Sequence, residues 1–87
     1  MIDLTKYDLT DEDLKFIGMI KDDIKNQNEI YLQYNGKSFV VEPSMNKLEV
    51  YAYGETLGLF NDFDDLFLNY KINGIPLINL VKELDFA

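Results

Sequence analysis

Sixteen carboxylates, no histidine and no cysteine set the chemistry open to this chain of 87 residues. Carboxylates can hold a metal, form a general acid–base pair, or stand in for phosphate. The run with the oxygen-rich look of a metal loop is Asn61-Asp62-Phe63-Asp64-Asp65. A calcium loop of the EF-hand type requires Gly at its sixth position and Glu at its twelfth. Counting from Asp62, those positions hold Phe67 and Asn73, so the run does not have that spacing. A carboxylate pair hydrolyses a glycoside only where a cleft sets one group on each side of the bond. With this many acids, adjacency alone carries no information.

Other nucleophiles fare no better. Thr5, Thr10, Ser38, Ser44 and Thr56 lack the imidazole that most often serves as their base, and no lysine is placed for it in sequence. The absence of cysteine removes thiolate metal sites, a thiol nucleophile and disulfides together. Gly36, Gly54, Gly58 and Gly74 do not form a phosphate-binding loop, because none sits in a strand, Gly-rich turn and helix unit. The expectation is a protein that is not an enzyme and that carries no catalytic residues, metal or cofactor.

Charge narrows the partners. The formal net charge is −8, and all eight cations are lysines. The mean field repels nucleic-acid phosphates and anionic lipid surfaces. Direct nucleic-acid binding and membrane association are therefore not expected, which leaves another protein or a second copy of this chain. No apolar run approaches the ~20 residues needed to span a bilayer. Met1 to Lys6 lacks the basic start and apolar stretch of a signal peptide, which points to a soluble, cytoplasmic protein. Residues 1–87 read as a single domain with a thin core.

Positioning falls to an α+β arrangement. Residues 10–25 carry a helix signature: Thr10 as N-cap, Asp11, Glu12 and Asp13 in the first turn, and an apolar stripe of Leu14, Ile17, Ile20 and Ile24, widened by Phe16. Residues 29–60 read as a four-stranded antiparallel meander. Asn35-Gly36 is the strongest turn signal, since both residues accept positive φ. Pairing outward from it sets Leu32 against Phe39 and Ile30 against Val41. A turn over Pro43 to Asn46 would set Glu42 against Lys47 and Val41 against Leu48. A turn at Gly54-Glu55 would set Val50 against Leu59 and Tyr51 against Gly58, which leaves room for the Tyr51 ring. One face then collects Ile30, Leu32, Phe39, Val41, Leu48, Val50, Leu57 and Leu59. Residues 61–70 read as a short helix, and a last helix begins near Pro76 with Leu77, Leu80, Val81 and Leu84 inward. The expected order is α-β-β-β-β-α-α, with every helix on one face of the sheet.

The opposite face then holds Tyr31, Val40, Glu49, Tyr51, Tyr53 and Phe60. Tyrosine combines apolar area with a polar tip and is enriched at interfaces. That face is the candidate binding surface of a non-enzymatic protein-binding module, such as a small regulator or an immunity-type protein. Strand propensity alone also favours tyrosine on a solvated sheet face. The alternative is an acidic inhibitor that imitates nucleic acid, of the anti-restriction or anti-CRISPR type. Most helix-terminal acids are accounted for by the helix dipole. Asp22 and Asp23, near the C-terminal end of the first helix, are not, and they would mark that surface.

Overall fold

A computed structural model describes all residues, Met1–Ala87. After a 3-10 turn at Leu4–Lys6 the chain forms α1 (Asp11–Lys25), β1 (Ile30–Tyr34), β2 (Lys37–Ser44), β3 (Lys47–Ala52), β4 (Glu55–Phe60), α2 (Phe63–Asn69), β5 (Lys71–Ile72), β6 (Ile75–Pro76), a 3-10 helix (Leu77–Glu83) and β7 (Leu84–Phe86). The class is α+β. The sheet has five strands in the order β4-β3-β2-β1-β7, and β5 and β6 form a separate small hairpin.

Local chemistry explains the helices. The Thr10 side chain accepts from the Asp13 amide, and the Asp13 carboxylate accepts from the Thr10 amide, closing a capping box. The Lys82 ammonium, 2.7 Å from Asp13, together with the Thr10 amide, holds that carboxyl below its usual range. Asp62 caps α2 by accepting from the Asp65 amide. Ile17 and Ile20 of α1, and Phe63, Leu66 and Phe67 of α2, seal into the core against the inner sheet face. Burying each such side chain contributes roughly 1.5–3 kcal/mol.

Every hairpin turns on two residues with positive φ: Asn35-Gly36, Met45-Asn46, Tyr53-Gly54 and, in the small hairpin, Asn73-Gly74. The β1–β2 register is the expected one, with Leu32 opposite Phe39 and Ile30 opposite Val41. The second turn is tighter than expected. Strand β2 runs on through Pro43 and Ser44, so Val41 meets Val50 and Glu42 meets Glu49, not Lys47. Pro43 is tolerated there because β1 reaches only to Ile30, opposite Val41, and Pro43 lies past it. This shift by two residues leaves every side chain on its expected face.

The third hairpin departs further. Tyr51 pairs with Thr56, but Val50 pairs with Gly58, and a β-bulge between them absorbs Leu57. The bulge reverses the faces of the rest of β4. Leu57 stays on the helix side, although exposed at the rim, whereas Leu59 turns out to the other face and Phe60 turns inward and packs edge-on against Tyr70 with ring centroids 5.8 Å apart. The larger apolar side chain takes the inner position. Gly58 makes room for it: a Cβ at that position would sit 2.8 Å from the Phe60 ring. Gly58 thus accommodates Phe60, not Tyr51.

The C-terminal segment is also corrected. Leu77, Leu80, Val81 and Leu84 are buried as expected, but Leu77–Glu83 winds as a 3-10 helix. Leu84 then opens β7, antiparallel to β1 with Tyr34 opposite Leu84 and Leu32 opposite Phe86. Leu84 is buried, Asp85 is exposed, and Phe86, still 38% exposed at the sheet margin, packs on Phe16 of α1 with ring centroids 4.8 Å apart. No helix is long and apolar enough to cross a membrane.

Candidate functional site

The helices cover one face of the sheet and leave the other bare. The register fixes which side chains stand on the bare face. Thr56, Tyr51, Val40 and Tyr31 lie in one row across β4, β3, β2 and β1. The next outward row holds Leu59, Glu49 and Glu42, and Glu29 stands level with Glu42 just before β1. Val50, the inward neighbour of Tyr51, is fully buried, so the two faces are cleanly separated.

Four of the six residues expected on this face are there: Tyr31, Val40, Glu49 and Tyr51. Tyr31 is 53% exposed, whereas Val40, Glu49 and Tyr51 are half-buried by one another. Phe60 is not there, because the bulge turns it into the core. Tyr53 is not there either. It occupies the first position of the β3–β4 turn, 92% exposed at φ 52°, and borders an apolar cavity of about 200 Å³ on the helix side, lined also by Phe39, Leu57 and Tyr70. Glu42, Thr56 and Leu59 belong to the face and were missed. The four-residue turn expected over Pro43 to Asn46 matches Glu42 with Lys47, and the signal of the β4 bulge is the isolated Gly58 within the strand, which the expected register assigns to the Tyr51 ring.

The polar groups of the face engage one another. The Tyr31 hydroxyl donates to Glu29 Oε2 at 2.9 Å, and the Thr56 hydroxyl donates to Glu49. The Glu29 hydrogen bond and charge raise the Tyr31 phenol above its usual range. Tyr51 is raised as well, first by desolvation among its neighbours and then by the charges of Glu42 and Glu29. Glu42 and Glu49 stand directly opposite each other, a like-charge pair that disfavours the sheet. The two ion pairs of the protein lie elsewhere, Lys82 with Asp13 and the Met1 amine with Asp64. Lys47, at the far end of this face, donates to Asn61. The row of glutamates is therefore left without a cation.

Asp22 and Asp23 lie on α1, in the helical layer. Asp22 is exposed, and Asp23 accepts from the Asn28 side chain at 3.3 Å. Asp13, Asp62, Asp64 and Asp65 are taken up in capping bonds and contacts with the chain's N-terminal segment. No group of three or more acidic side chains is arranged to hold a metal ion. Glu42 and Glu49 share a shallow depression with Tyr51 and Thr56, open to water and without walls on either side of a bound molecule. Comparison of the chain with protein-family models, with curated proteins and with solved structures finds no match.

Proposed function

We propose that this chain is a non-enzymatic binding module that docks another protein through the bare face of its sheet. One observation carries the reading. Helices seal only one side of the sheet, and the uncovered side presents a continuous row of Tyr31, Val40 and Tyr51 beside its glutamates. Tyrosines anchor interfaces because they desolvate a large flat area and still satisfy their hydroxyls at the rim. The open depression around Glu42 and Glu49 offers no enclosure for a reacting molecule, which supports a role in recognition over one in catalysis.

Capture from extracts of the native host, with paired variants, tests the reading. Tyr31→Ala combined with Tyr51→Ala abolishes capture of the partner. Asp22→Asn combined with Asp23→Asn leaves it intact. The reverse result would favour an acidic decoy for nucleic acid, whose binding would also weaken steeply with added salt. Capture that survives both pairs of changes rules out both surfaces.

A further inference from the structure

Resting on that docking face, we infer that its partner is a protein segment that presents arginine to the Tyr31–Val40–Tyr51 row and the glutamates beside it.

Charge selects the occupant. Glu29, Glu42 and Glu49 border the tyrosine row, and no lysine of the chain pairs with them. A second copy brings the same net charge of −8 and no arginine, and nucleic acid or an anionic lipid surface is repelled in the same way. A cationic protein segment neutralises the row and relieves the opposed Glu42–Glu49 pair.

Side-chain shape distinguishes arginine from lysine. Tyr31 and Tyr51 stand on strands that flank β2, about 10 Å apart, with the short side chain of Val40 between them. A planar guanidinium stacks on an aromatic ring and bonds a carboxylate through two N–H groups at once. An ammonium is a strongly hydrated point charge that cannot do both. The Tyr31 ring is anchored by its hydroxyl, which donates to Glu29, and the Glu49 carboxylate is steadied by the Thr56 hydroxyl. The edge of the same face carries Leu59, 64% exposed, which supplies apolar area beside the charged row.

Amide-resolved NMR titration with hexa-arginine and hexa-lysine peptides at physiological salt tests this. Hexa-arginine shifts the resonances of Tyr31, Val40, Glu42, Glu49 and Tyr51, and binds at least fivefold more tightly than hexa-lysine. Combining Glu42→Gln with Glu49→Gln weakens hexa-arginine at least fivefold, while circular dichroism shows the fold retained. Shifts centred on Asp11–Asp13 or Asp22–Asp23, or equal response to the two peptides, overturn the inference. Host-extract capture separates its failure from that of the docking reading. Capture lost with the tyrosine pair but kept with the glutamine pair removes the arginine and leaves the docking face. Capture kept with both removes both.

Discussion

The two faces of the sheet are made by the same strands and obey different rules. On the inner face Leu32, Val41 and Val50 are fully buried, and the position of each is dictated by volume. On the outer face Tyr31, Val40 and Tyr51 are held by one another and by water, and two carboxylates oppose each other without a cation. The inner face is what makes the chain fold. The outer face carries a small electrostatic cost, the opposed Glu42–Glu49 pair, that packing does not explain.

The contrast should be largest between adjacent residues of β1. Leu32→Ala empties a sealed site and should cost about 2–5 kcal/mol in urea unfolding. Tyr31→Ala, one residue away on the other face, should cost no more than about 1 kcal/mol. Equal losses would mean that the faces are not distinct.

The bulge comes next. Gly58→Ala drives a methyl group into the Phe60 ring and should cost about 1–3 kcal/mol, and most of that loss should vanish in a Phe60→Leu background. At the turn, Tyr53→Asn converts a strained Tyr-Gly pair into Asn-Gly and should add up to about 1 kcal/mol, read as a rise in Tm. The outer face supplies the smallest effects. Glu49→Gln relieves the opposed pair while still accepting from Thr56, and should add about 0.2–1 kcal/mol, less as salt is raised.

Alkaline titration sharpens the same point. The Tyr31 and Tyr51 phenols are raised in the fold, so the folded state holds their protons longer than the unfolded chain does. Stability should therefore fall as pH climbs from the free phenol range near 10 toward their folded values, and the fall should be shallower with Tyr31→Phe.

Legibility in the sequence followed how local each determinant is. The Thr10 cap and the Asn35-Gly36 turn act within a few residues, and α1 and the β1–β2 register are readable from them. The faces of β3 survived a turn placed wrongly, because an error of two residues preserves alternation. The faces of β4 did not, because a single bulged residue reverses them. That bulge is settled by how Phe60, Gly58 and Tyr70 fit together in space. Plain alternation along β4 therefore predicts Phe60 on the outer face and Leu59 on the inner one, the reverse of the structure. The last strand was hidden for a different reason. Leu77, Leu80, Val81 and Leu84 match a helical stripe as well as a 3-10 turn running into a strand, and only the neighbouring edge of β1 decides between them.

That late strand bears on how the molecule assembles. The contacts of the meander close through tight turns and can form early, whereas β7 reaches β1 only after the rest of the chain has been gathered in. Its three pairings should be the last to form and the first to open, so its amides should exchange with solvent ahead of those in β2 and β3. Each opening uncovers β1 as a second free margin, and the β7 of a neighbouring molecule could fill it in place of its own.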